Sequence, residues 1–63
     1  MKVVIVKPDG KAAVSFNCAN EKDIERFYEY ETIQDMMDSG YAVIIDGRKL
    51  SKKQIREWVK RYG

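Results

Sequence analysis

Sixty-three residues, 44 % of them apolar and 35 % charged, describe one ordinary folded domain and exclude a disordered segment. With no histidine and Cys18 as the one cysteine, an intrachain disulfide is excluded and no zinc-type ligand set can be assembled. The net charge of +2 conceals a segregation, because residues 1–16 sum to +2, residues 17–46 to −6 and residues 47–63 to +6.

Lys2 to Lys7 is rich in valine and isoleucine, and Pro8-Asp9-Gly10 is a turn signal. Proline presets its own φ, aspartate bonds locally and glycine accepts positive φ. Lys11 to Phe16 then alternates, with Ala12, Val14 and Phe16 on one face, so a β-hairpin is predicted. Asn17 to Asn20 reads as a loop.

Glu21 to Asp38 fails as one straight helix. Ile24, Phe27 and Tyr28 would share a face while Tyr30, Ile33 and Met37 would lie opposite, and a stripe that jumps across the cylinder implies a break. Alternation of Ile24, Arg26, Tyr28 and Tyr30 against Glu25, Glu29 and Glu31 predicts a third strand over Ile24–Glu31, preceded by a single helical turn at Asn20–Asp23. Thr32 then starts a short helix, with Asp35 placed to cap back and Ile33, Met36 and Met37 facing inward. Gly40 stands where a helix end favours positive φ.

Tyr41 to Ile45 is a near-continuous apolar run, the pattern of a central strand covered on both faces. Asp46-Gly47 ends it with a turn. The last helix is the best marked: Ser51 is its N-cap, Gln54 completes a capping box, and Leu50 can staple onto Ile55. Ile55, Trp58, Val59 and Tyr62 follow at helical spacing as one apolar stripe, and Trp58 within it is assigned to the core. The fold class expected is α+β, a small β-β-β-α-β-α domain with a four-stranded sheet and two helices packed on one face.

The functional reading begins with catalysis, for which the chain is poorly equipped. It has no histidine, Gly-rich phosphate loop or Cys–His pair, and Asp35 and Asp38 read as a solvated helix face. A domain this small also leaves little room for a substrate pocket. No enzymatic activity, cofactor or small-molecule substrate is expected. Cys18 has no basic neighbour in sequence to lower its pKa and is expected to be inert.

The basic end offers a surface. Lys52, Lys53, Arg56, Lys60 and Arg61 lie away from the apolar stripe, with Arg48 and Lys49 just before the helix, so these seven residues are candidate contacts for nucleic acid or an acidic partner. The competing assignment is the solvated face that any amphipathic helix needs. The eight acids of residues 17–46 would repel a duplex unless the fold holds them away. A helix-turn-helix is not supported, since strand and turn precede the basic helix.

Tyr28, Tyr30 and Met36 form a candidate protein-contact patch, with core packing as the competing assignment. An unpaired thiol fits a reducing compartment. No stretch reaches the roughly 20 apolar residues of a membrane span, and Met1-Lys2-Val3-Val4-Ile5-Val6-Lys7 is too short for a secretory signal, so a cytoplasmic location and no membrane partner are expected. A small domain buries only about 60 % of its extended surface, which makes self-association a natural source of stability. The reading that results is a non-enzymatic interaction or regulatory module whose partner is a protein, a second copy included. The alternatives are nucleic-acid binding through the basic helix and a structural homo-oligomer.

Overall fold

The computed structural model describes all 63 residues. Strands β1 (Lys2–Val6) and β2 (Ala12–Asn17) form the expected hairpin, antiparallel with Lys2 opposite Asn17 and Ile5 opposite Val14. The turn chemistry acts as its residues suggest. Gly10 takes φ +91°, the Lys7 N–H donates to the Lys11 carbonyl at 2.8 Å, and the Asp9 carboxylate accepts from the Lys11 N–H at 2.9 Å. A bulge at the turn end pairs Val6 with Ala12 and leaves Ala13 extra.

The segment expected to be a third strand is helical instead. Glu21–Arg26 is a 3₁₀ helix and Tyr30–Asp38 is α1, with the chain breaking direction between them at Phe27–Glu29. The Asn20 side chain starts the first piece by accepting from the Lys22 and Asp23 N–H groups at 3.0 and 3.2 Å. The jump of the apolar stripe therefore marks a break between two helices, each burying its own side: Ile24 in the first, and Tyr30, Ile33 and Met37 in the second. The alternation from Ile24 to Tyr30 was coincidental, since Ile24 and Tyr30 are buried but Arg26 between them is exposed.

Helix α1 starts two residues before Thr32, with Glu29 as its N-cap and no side-chain cap bond, so Asp35 does not act as a capping residue. Its end follows the expectation. Gly40 has φ +95°, and the Gly40 and Tyr41 N–H groups donate back to Met37 and Met36 carbonyls, a Schellman closure.

Strand β3 (Ala42–Ile45) pairs antiparallel with β1, Val3 opposite Ile45 and Val6 opposite Ala42. Asp46-Gly47, with φ of 50° and 80°, makes a tight hairpin turn into a two-residue strand, β4 (Arg48–Lys49). The fourth strand of the sheet is thus Arg48–Lys49, and the order is β2-β1-β3-β4. Asp46 also ties the turn to β1, its carboxylate accepting from the Lys2 N–H at 2.8 Å.

Helix α2 (Lys52–Tyr62) carries the expected capping box: the Ser51 hydroxyl accepts from the Gln54 N–H at 3.1 Å, and the Gln54 side chain accepts from the Ser51 N–H at 3.3 Å. It runs antiparallel to α1. Tyr30 at the start of α1 meets Trp58 edge-on with ring centroids 5.9 Å apart and Tyr62 at 5.1 Å, while Asp38 at the other end reaches Lys52 at 4.0 Å. The two helices cover one face of the sheet, closing Val3, Ile5 and Val43 with Ile24, Ile33, Leu50, Ile55 and Trp58 into a single core. The other face has no cover. Strand β3 is therefore central but buried on one side only, with Ala42 and Ile44 half-buried on the open face beside Val4 and Val6 of β1.

Candidate docking flank beside the edge strand

Strand β2 is the longer of the two sheet edges, and its pairing fixes where its backbone points. The Met1 ammonium donates to the Cys18 carbonyl at 2.8 Å and the Cys18 N–H donates to the Met1 carbonyl at 2.9 Å. In an antiparallel ladder such pairs alternate, so Cys18, Phe16 and Val14 turn their backbone groups toward β1. Asn17 and Ser15 turn theirs outward. Nine consecutive residues, Ala12 to Asn20, carry no charge in a chain that is 35 % charged.

On the helix side of this edge lies a groove of about 410 Å³ between β2 and α1, lined by Val14, Tyr28, Met36 and Tyr41 together with the polar Thr32, Asp35 and Ser39. Val14 reaches it because it alternates with Phe16 onto the helix side of β2. Tyr28 reaches it because the break after the 3₁₀ helix swings the chain back over the strand. At the Phe16 end of β2, Phe27 stacks on Phe16 with ring centroids 4.3 Å apart and an interplanar angle of 18°. Phe27 is 49 % exposed and is the one large apolar side chain left open to solvent.

Two of the three residues assigned from sequence to a protein-contact patch, Tyr28 and Met36, are brought together in this groove. Tyr30 is not: it is 2 % exposed, and its hydroxyl donates to the Glu21 carbonyl at 2.6 Å and lies 3.1 Å from the Lys22 carbonyl. Burial pushes its pKa up to about 12, with the nearby Glu25 charge adding to the shift. Tyr30 pins the 3₁₀ helix to the helix pair and has no free surface. Val14, Phe27 and Tyr41 complete the flank and were not singled out by the sequence pattern.

The seven basic candidates are all exposed, but they are not one isolated patch. Lys52 pairs with Asp38, and Arg61 bonds Glu21 at 3.2 Å, where the Tyr62 hydroxyl also donates at 2.9 Å. Lys53, Arg56 and Lys60 form an unpaired outward row on α2, and Arg48 and Lys49 sit on β4. The neighbouring α1 presents Glu31, Asp35 and Asp38 on its exposed side. Acidic and basic rows therefore share the helix layer. Cys18 is half-buried, and burial pushes its thiol pKa up, opposed in part by the Met1 ammonium. No helix is long and apolar enough to cross a membrane. Compared with protein-family models, curated proteins and solved structures, the chain shows no significant match to any.

Proposed function

We propose that the chain is a non-enzymatic interaction module that docks a protein along the flank formed by β2, Phe27 and the groove of Val14, Tyr28, Met36 and Tyr41. One observation carries this reading: an uncharged strand edge, the apolar groove and the single exposed large apolar side chain all lie on the same side of the molecule. An extended segment adding to β2 takes its main-chain hydrogen bonds from the outward groups of Ser15 and Asn17, and places alternate side chains in the groove. Backbone pairing supplies affinity and the groove supplies selection. A regulatory or accessory role for a small domain is consistent with such a surface.

The test is partner capture by the immobilised domain, wild type against a Phe27→Ala, Met36→Ala double variant. Both side chains are at least partly exposed, so the variant is expected to stay folded and to lose the partner that wild type retains. Equal capture by both forms would refute the flank.

Nucleic-acid binding by α2 is the second reading, favoured by the unpaired row Lys53, Arg56 and Lys60. The adjoining acids of α1 weaken it, because a duplex laid on the helix layer would meet both signs of charge. Titration with mixed single- and double-stranded nucleic acid at low salt decides it. Binding that falls steeply with salt and disappears in an Arg56→Glu, Lys60→Glu variant would establish this reading.

A further inference from the structure

On the footing that the flank is a docking surface, we infer that its occupant is a second copy of the chain, joined β2 to β2 about a twofold axis normal to the sheet. The inference rests first on charge. Natural edge strands are usually guarded by charged side chains or proline. Here the run from Ala12 to Asn20 has neither, and the one guard present is the bulge at Ala13, confined to the turn end. Self-pairing brings no like charges together along this strand, and the strand offers a charged peptide no counter-charge, Asp35 being the one charged residue that lines the groove.

The second argument is shape. The exposed Phe27, stacked on Phe16, stands at the Phe16 end of β2, and the groove lies beside Val14 toward the other end. Antiparallel pairing with Ser15 next to the axis reverses one strand against the other. It sets the Phe27 end of each copy against the groove end of its mate, so each exposed Phe27 faces an apolar groove, twice by symmetry. Both helix layers stay on the same side of a continuous eight-stranded sheet.

Area sets what the arrangement must bury. A specific interface takes about 800 Å² from each partner, roughly a fifth of the chain's 4285 Å² surface. A six-residue strand edge alone cannot supply that area, so the contact must extend onto Phe27 and the groove beside the edge.

Sedimentation velocity on the purified full chain, from low micromolar to near-millimolar concentration, tests the inference. A species of twice the 7.4 kDa chain mass is expected to grow in with concentration. Ser15→Pro removes an outward N–H that β1 does not use, and Phe27→Ala removes the exposed ring. Each is expected to raise the dimer dissociation constant roughly tenfold or more, and Ile44→Lys on the open sheet face is expected to leave it unchanged. Hydrogen exchange supplies a readout without substitution: the Ser15 and Asn17 amides of wild type gain protection as concentration rises.

A chain that stays monomeric throughout, with Ser15 and Asn17 amides exchanging freely, overturns the second-copy assignment. The flank then survives only if the capture experiment with Phe27→Ala, Met36→Ala still separates the two forms, so the two failures are distinguishable. A dimer that tolerates Ser15→Pro and Phe27→Ala but is lost in Ile44→Lys also overturns it, and places the contact on the sheet face.

Discussion

Replacing Tyr30 by phenylalanine separates two roles that the sequence left entangled. The ring, packed between Trp58 and Tyr62, is retained, and only the hydroxyl that donates to the Glu21 carbonyl at 2.6 Å is lost. A single buried hydrogen bond contributes about 1 kcal/mol net, so Tyr30→Phe is expected to be less stable than wild type by about that amount at neutral pH. The difference then depends on pH. Tyr30 titrates at about 12 in the folded chain and near its ordinary value, about 10, when unfolded. Because the folded pKa is the higher one, the stabilisation is complete below about pH 10 and is lost as pH rises toward 12 and beyond. At pH 11 the loss is about 1.4 kcal/mol, enough to cancel the hydrogen bond. Urea unfolding of both proteins, followed by Trp58 fluorescence between pH 8 and 12, is the assay. Wild type is expected to be the more stable up to about pH 10 and the two curves to cross near pH 11. A constant difference across that range would show that the Tyr30 hydroxyl is not held in the folded chain as described.

Three further substitutions probe the fold and its surface. Ser51→Ala removes the hydroxyl side of the capping box and is expected to lower stability by about 1 kcal/mol, read from the urea midpoint at unchanged slope. Ile24→Ala opens a cavity where the side chain is 1 % exposed; a cost of about 2–5 kcal/mol would leave so small a domain largely unfolded by circular dichroism. Lys52→Ala is expected to shift the urea midpoint little, because an exposed pair such as Lys52–Asp38 is worth roughly 0–1 kcal/mol.

The parts of the fold legible in the sequence are those whose chemistry is local. Pro8-Asp9-Gly10 specifies one hairpin, Ser51 with Gln54 specifies the start of α2, and Gly40 closes α1 through two hydrogen bonds within six residues. Residues 21–31 are not legible locally because the deciding contacts are distant. The Tyr30 hydroxyl reaches back to Glu21, and Glu21 in turn receives Arg61 and Tyr62, so an aromatic-rich stretch with strand propensity is held helical by tertiary bonds. Strand β4 is silent in the sequence for a different reason: two charged residues carry no apolar period, and only the Asp46-Gly47 turn gives it away.

The candidate site divides along the same line. Tyr28 enters the patch through the expected strand face shared with Tyr30, a strand that does not form, and Met36 through its place on a helix whose inward side it shares with Ile33 and Met37. Val14, Phe27 and Tyr41 join them only because α1 leaves a gap over the edge strand, which no one-dimensional pattern records. The basic candidates were legible as exposed residues, but their mingling with the acids of α1 depends on the antiparallel helix pair.

The most direct measurement is site-specific photo-crosslinking in cells that express the chain, with a photoreactive phenylalanine analogue at position 27 and, separately, at position 60. Docking along β2 is expected to give protein adducts from position 27, with a second copy of the chain among them, and few or none from position 60. Adducts from position 60 with nucleic acid, and none from position 27, would contradict the docking flank and move function to the basic face of α2.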